Sequence, residues 1–263
     1  MPAPPPESDP AIVSAIFMRP GDSRSRSPPL NSLLPGSGGA QDSTVSIERL
    51  REFIRKHTAP LPVPLAPELR TYQAAELTPL WRATAADLRR WDDSPFWAFP
   101  WAGGQALARH VLDHPELVRG RAVLDFATGS GLVGIAAARA GAARVVAADL
   151  DPFCEAAVSL NAELNGVSVE FQAGDRIDGP IPGEEVVLAG DVFYERPLAE
   201  RSMTWFLALA ERGAVVLVGD PGRNYSPASG FAVVGRYEVP TTLEIEGRMV
   251  LATRVLEIGR PIR

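Results

Sequence analysis

The sequence predicts an α/β fold: a doubly wound, mostly parallel sheet with helices on both faces, preceded by a helical extension. Three observations lead there. From Gly103 onward, short apolar runs alternate with helix-length runs, the pattern of successive βαβ units. Residues 186–189 read Val-Val-Leu-Ala with no polar position, as a strand covered on both faces requires. A glycine-rich loop, Asp125-Phe-Ala-Thr-Gly-Ser-Gly131, joins one such strand to the helix after it.

The elements follow in order. Residues 1–44 are rich in Pro, Ser and Gly and lack periodicity, the composition of a tail that cannot bury enough apolar area to order itself. The Ser-Arg repeat at 23–27 suits a transit peptide poorly beside Glu7, Asp9, Asp22 and Asp42, and a start at Met18 or near Val45 is an alternative. Residues 45–102 form the extension. Ile47, Leu50, Phe53 and Ile54 have helical spacing, with Ser46 as N-cap. Prolines at 60, 62, 64 and 67 mark an extended linker over 59–67. A second helical region covers 72–90, and an aromatic patch follows: Trp91, Phe96, Trp97, Phe99 and Trp101.

The main domain, 103–263, then reads as helix 104–114, strand 121–126, helix 132–140, strand 144–149, helix 152–165, strand 167–172, strand 186–189, helix 197–212 and strand 214–219. Pro152 at the start of one helix and Gly166 at its end show the expected asymmetry of helix termini. Strands near 231–239 and 248–258 have no helix between them, so they should pair as an antiparallel hairpin at the sheet edge. There is no internal repeat.

Composition narrows the functions. The chain has 263 residues, a net charge of −6 and no cluster of Lys and Arg, which argues against a nucleic-acid partner. No apolar run approaches the roughly 18 residues of a membrane span. One cysteine, Cys154, rules out an intramolecular disulfide and suits a reducing, cytoplasmic setting. Its place in a helix reads as buried, not nucleophilic. His110 and His114 are four apart on a helix, but no third ligand supports a metal site.

Gly129-Ser-Gly131-Leu-Val-Gly134 fits the dinucleotide fingerprint, with Asp149 about 20 residues on. Asp125 argues against a dinucleotide: a carboxylate beside the loop would repel a pyrophosphate. It would favour S-adenosylmethionine, which carries an ammonium and a sulfonium and no phosphate. The terminal hairpin and the lack of a separate catalytic domain point the same way, against an NAD-dependent oxidoreductase. On this reading the loop backbone at Ala127, Gly129 and Gly131 cradles the cofactor. Asp149 binds the ribose hydroxyls, Asp175 the adenine amino group, and Leu150 the adenine face. The alternatives are that Asp149 and Asp175 cap turns and that Leu150 is core. Trp101 and Gln105 are further cofactor candidates, beside Gly103 and Gly104, which permit close backbone approach. Any single ring of the patch can equally be core.

Ligands of such sheets bind at the carboxyl ends of the strands, so Gly190-Asp191-Val-Phe-Tyr194 should border the transferred methyl. Asp191 can orient an amine or take its proton. Tyr194 can hydrogen-bond it or offer a π face. A turn carboxylate followed by two core aromatics is the other reading, and it would suit a non-catalytic scaffold.

Phe96-Trp-Ala-Phe-Pro-Trp-Ala-Gly-Gly-Gln-Ala-Leu-Ala-Arg109, Val123-Leu-Asp-Phe-Ala-Thr-Gly-Ser-Gly131, Ala148-Asp-Leu-Asp-Pro152, Gly190-Asp-Val-Phe-Tyr194 and Gly219-Asp-Pro-Gly-Arg223 occur together and in order. From about Ser46 to the end the chain resembles the electron transfer flavoprotein β-subunit lysine methyltransferases, in their bacterial form. The loop is generic to class I methyltransferases; the Trp-Ala-Gly-Gly-Gln, Asp-Val-Phe-Tyr and Asp-Pro-Gly-Arg segments are more specific. The resemblance implies a seven-stranded Rossmann-like methyltransferase sheet and S-adenosylmethionine as cofactor. It also implies methylation of lysines on the flavoprotein β subunit, near the surface that meets partner dehydrogenases. Asp125, Gly129, Gly131 and Asp149 would hold the cofactor, Asp191 and Tyr194 would face the lysine, and Asp220 and Arg223 would contact the protein substrate. Ala127 departs from the first glycine of many class I enzymes, and the tail before Ser46 has no counterpart. A monomer without metal is expected. The alternative is a class I methyltransferase acting on another protein, such as a ribosomal protein, or on a small amine.

Overall fold

The computed structural model describes residues 46–74, 80, 95–177 and 183–259. The tail over 1–44, Trp91 and most of the segment 75–94 lie outside the described residues. Helix α1 (Ile47–His57) buries Leu50, Phe53 and Ile54, the stripe its spacing anticipates. The proline-rich stretch is not a linker. It forms a two-stranded antiparallel hairpin, β1 (Ala59–Val63) with β2 (Ala66–Gln73), pairing Pro60 with Tyr72 and Pro62 with Arg70. Proline lacks a donor, but it is tolerated in a strand with a free edge. Here Arg70 and Gln73 donate from their side chains to the carbonyls of Pro60 and Leu61. Tyr72 and Gln73 therefore belong to a strand, not to the start of a helix.

The remaining elements are α2 (Ala102–Asp113), β3 (Ala122–Phe126), α3 (Leu132–Arg139), β4 (Arg144–Asp149), α4 (Pro152–Asn165), β5 (Glu170–Ala173), β6 (Val186–Gly190), α5 (Arg196–Glu211), β7 (Val215–Asp220), β8 (Phe231–Pro240), α6 (Leu243–Glu246) and β9 (Val250–Ile258). Among the described residues one 3-10 turn, Phe96–Ala98, precedes α2 and another, Pro115–Leu117, follows it. The short α6 stands between the last two strands, where the sequence predicts no helix. Thr242 caps it through the Ile245 N–H, and Gly247 closes it in the left-handed region, signals that a four-residue helix leaves too weak to read.

The seven strands order as β5-β4-β3-β6-β7-β9-β8. All neighbours run parallel up to β7, while β9 is antiparallel to both β7 and β8. The last strand in chain order thus lies inside the sheet and β8 forms its edge. Alternate strand residues serve opposite faces. Leu124, Phe126, Val187 and Ala189 pack under Trp205, Phe206 and Leu209 of α5. Val123, Val186, Leu188 and Leu217 pack under Ala106, Leu107 and Val111 of α2 and Val133 of α3. Val63, Ala66 and Leu69 of the hairpin join Ile135 and Ala136 of α3 and Ala162 of α4 in a third cluster. At α4 the predicted termini hold: Asp151 accepts the Phe153 N–H, Pro152 opens the helix and Gly166 ends it at φ 65°. No described helix is long and apolar enough to cross a membrane.

Candidate active site

Parallel pairing of β4, β3, β6 and β7 brings their carboxyl ends, at Asp149, Phe126, Gly190 and Asp220, to one edge of the sheet. The glycine-rich loop leaves β3 there. Ala127 takes the left-handed conformation, φ 51°, in the place where a glycine is usual. Thr128 N–H bonds the Ala148 carbonyl, and Gly131 caps α3 at φ 81°. A methyl on Gly131 would press on Val158 of α4 at 3.0 Å, so the loop needs a bare α-carbon to lie this low.

Asp125 is 1% exposed, and its Oδ2 accepts both the Thr128 hydroxyl and the Gly134 N–H. The expected contact with the cofactor's ammonium therefore gives way to an internal one: the carboxylate folds the loop back onto α3. Burial, with the Asp149 charge adding to it against those two hydrogen bonds, pushes its pKa up to about 7. Asp149 is at the surface of the same cleft, half-buried. Its Oδ2 accepts the Gly129 N–H at 2.9 Å and its Oδ1 the Asp151 N–H at 3.1 Å. Each oxygen keeps a further lone pair for an incoming hydroxyl. Leu150 beside it is 70% exposed and so is not core. Asp175 accepts from the Ile177 N–H and from Arg201. Burial opposes its ionisation, and those bonds outweigh the burial, so its pKa lies below the ordinary value.

The second half of the cleft is built on α2. Asp191 directly follows β6 at φ 60°, an uncommon conformation for a non-glycine residue, held by its N–H to the Gly219 carbonyl. Its Oδ2 accepts the Gly103 N–H and its Oδ1 accepts Arg223 Nε, both at 2.5 Å. The fork of Arg223 then grips Glu246 of α6 with two bonds of 2.7 and 2.9 Å. Glu246 Oε1 also accepts the Ala102 N–H at 3.2 Å. Two carboxylates thus cap the first turn of α2, where backbone donors lack partners and the helix dipole favours negative charge. Burial pushes the Asp191 pKa up to about 6 and Glu246 adds to it, against the pull of Arg223.

Tyr194, 37% exposed, sits 5.8 Å from Phe96 between ring centroids, and Phe96 sits 5.6 Å from Trp101. Burial first, then the charges of Glu195, Asp149 and Asp191, push the Tyr194 phenol to about 12. The phenol therefore stays protonated at neutral pH. Trp101 donates from Nε1 to the Phe96 carbonyl and lies 6.0 Å from the Arg223 guanidinium.

Three further expectations about individual residues fail. Gln105 is buried and fully employed: it accepts the Leu65 N–H and donates to the carbonyls of Pro100 and Pro240. It fastens the hairpin and the edge strand to α2 rather than reaching a ligand. Asp220 is 1% exposed and holds Arg254, Ser226 and the N–H groups of Gly222 and Arg223, so it shapes the loop after β7 and offers nothing to a protein substrate. Arg223 is likewise committed to Asp191 and Glu246. Gly103 permits close approach, but of the Gly219 and Asp191 backbones, not of a ligand. Glu246 and Arg254 carry no sequence signal, since charged residues in a terminal hairpin look like solvated surface. No cluster of metal ligands occurs among the described residues.

The cleft suits S-adenosylmethionine. Asp149 lies at its surface, and the Arg223 guanidinium is already held by Asp191 and Glu246, a setting that favours a sulfonium and an ammonium over a pyrophosphate. The sheet order, the antiparallel β9 and this cleft at the carboxyl edge define a class I S-adenosylmethionine-dependent methyltransferase. The family model and the curated relatives agree. The family model of the ribosomal protein L11 methyltransferases matches residues 107–190. Electron transfer flavoprotein beta subunit lysine methyltransferase of Xenopus laevis is 40% identical over 175 residues, 66% of this chain and 70% of the relative. The Mus musculus protein of the same name is 41% identical over 140 residues, 52% of this chain and 54% of that relative. The chain thus spans about half the length of the mouse relative. Among solved structures, magnesium protoporphyrin IX methyltransferase from Synechocystis aligns at a TM-score of 0.46 and 14% identity, covering 69% of this chain and 96% of that one. The chain belongs to the electron transfer flavoprotein beta subunit lysine methyltransferase family.

Proposed function

We propose that the protein transfers methyl groups from S-adenosylmethionine to lysine side chains of the electron transfer flavoprotein β subunit. The observation that carries this reading is the buried, strained Asp191 beside Tyr194 at the carboxyl end of β6. The names of the relatives supply the acceptor. The loop Ala127–Gly129–Gly131, Asp149, Leu150, Asp175 and Trp101 would hold the cofactor. When bound, the sulfonium supplies an electrophilic methyl group. The chain's own task is to hold an uncharged amine in line with it, since a good leaving group leaves mainly alignment to the protein. A lysine ammonium titrates near 10.4 in water and must lose its proton first. Ionised Asp191 accepts a hydrogen bond from the amine and draws off that proton, and Tyr194 offers its hydroxyl or its π face to the same group. A cytoplasmic monomer is the working form we propose.

A different protein acceptor is the second reading, favoured by the match to the ribosomal protein L11 methyltransferase model. That match ends at Gly190, before Asp191, so it speaks to the cofactor half of the cleft more than to the acceptor half. Both readings meet one experiment. Labelled S-adenosylmethionine is incubated with the protein and a cell lysate, and with purified flavoprotein β subunit. Label on lysines of the β subunit, lost in Asp191→Ala with cofactor affinity kept, is the expected result. Label only on other proteins or small molecules sinks the proposed acceptor.

A further inference from the structure

The geometry points to Glu246 as a positioning residue for the transfer: by occupying the Arg223 fork, it holds Asp191 in a single-point contact that leaves its carboxylate open to the amine. The inference rests on the role proposed for Asp191. Glu246 is 2% exposed at its side chain, and Arg223 13%. Glu246 takes the two terminal nitrogens of the guanidinium, one on each of its oxygens. Only Nε then bonds Asp191 Oδ1, while Gly103 N–H bonds Oδ2. Guanidinium and carboxylate otherwise prefer two parallel bonds. Without Glu246, Arg223 would turn that preference on Asp191, draw Oδ2 from the α2 terminus and fill the lone pairs that the amine needs. The charge arithmetic agrees: two carboxylates around one guanidinium leave a net negative centre, whereas one carboxylate leaves a neutral pair. The titratable groups facing Asp191 are Arg223 from the loop after β7, Glu246 from α6 and Tyr194 from its own loop; α2 contributes backbone dipoles.

Glu246→Gln keeps the size and removes the charge. Three quantities are measured: affinity for S-adenosylhomocysteine by calorimetry, the titration of the Asp191 carboxyl by carbon NMR, and kcat and KM on the methyl acceptor. Affinity should stay within about twofold, the Asp191 midpoint should move to lower pH because a neighbouring negative charge is gone, and kcat should fall at least tenfold. Glu246→Asp, which retains the charge, should recover part of the rate. An unmoved Asp191 midpoint, or an unchanged kcat, overturns the proposal. If Glu246→Gln does not fold, Glu246→Asp serves alone: one methylene shorter, it holds the Arg223 fork less fully, and kcat should fall partway with cofactor affinity kept. Loss of cofactor affinity in every variant would make the cluster a structural clamp only and would also overturn the proposal. The NMR titration needs no acceptor protein, so a failure of the flavoprotein substrate leaves this test standing.

Discussion

Gly103 and Gly104 are adjacent in the first turn of α2, and replacing each by alanine should have opposite effects. A methyl on Gly103 would fall within hard contact of the Gly219 carbonyl oxygen, 2.7 Å from Asp191 Oδ2 and 2.8 Å from Asp191 N. Two of these are backbone atoms at the ends of β6 and β7, which cannot step aside. The helix terminus must move instead, and the Gly103 N–H loses Asp191. Overpacking of this kind costs about 1–3 kcal/mol, and a charge-assisted hydrogen bond about 1.5–3 kcal/mol. Gly103→Ala should therefore lose about 3–6 kcal/mol of unfolding free energy. A methyl on Gly104 meets only Leu132 Cδ2, at 4.0 Å. Gly104→Ala should gain up to about 1 kcal/mol from helix propensity. Urea denaturation of both variants beside the parent is the assay. A Gly103→Ala protein as stable as the parent, or one no worse than Gly104→Ala, would refute the account of how α2 seats on the sheet.

Asp149→Ala removes the two acceptors proposed for the ribose and frees the Gly129 N–H, so affinity for S-adenosylhomocysteine should drop about 100-fold or more; calorimetry showing parental affinity would contradict the ribose role. Asp125→Asn tests the buried carboxyl. Its folded pKa, about 7, lies above the 3.8 of the unfolded chain, so its contribution to stability is complete below 3.8 and is lost as pH rises through 7. Between pH 5 and 8 the parent should lose about 2–3 kcal/mol more than the variant, whose amide can still accept from Thr128 and Gly134. Parallel stability curves for the two proteins would place the ionised form of Asp125 in the fold after all.

Periodicity located most of the sheet because buried parallel strands leave an apolar signature that no partner can hide. The bounds of β4 and α4 read from sequence are those observed. The hairpin β1–β2 was illegible for the opposite reason. Prolines signal extended chain but say nothing about pairing, and here side chains of Arg70 and Gln73 satisfy carbonyls that a regular ladder would have used. Within the cleft, motif spacing identified Asp125, Asp149 and Asp191 as a group but not which way each points. Asp125 and Val123 lie on the same face of β3, so the carboxylate turns inward beneath α3, a consequence of pleat alternation that only the strand's register reveals. Glu246 could not be found from sequence at all, because its importance comes from a guanidinium 23 residues away meeting it across the top of the sheet.

Strand β9 has a consequence for how the molecule comes into being. A ribosome delivers β3, β4, β6 and β7 long before it delivers β9, so the outer margin of β7 waits bare while β8 emerges with nowhere to dock. The late strand must slide between two segments made earlier, and α6 travels with it. A nascent chain can thus pair β3, β4, β6 and β7 first, but Asp220, which shapes the loop bearing Arg223, gains its Arg254 partner only when the final strand zips the sheet shut.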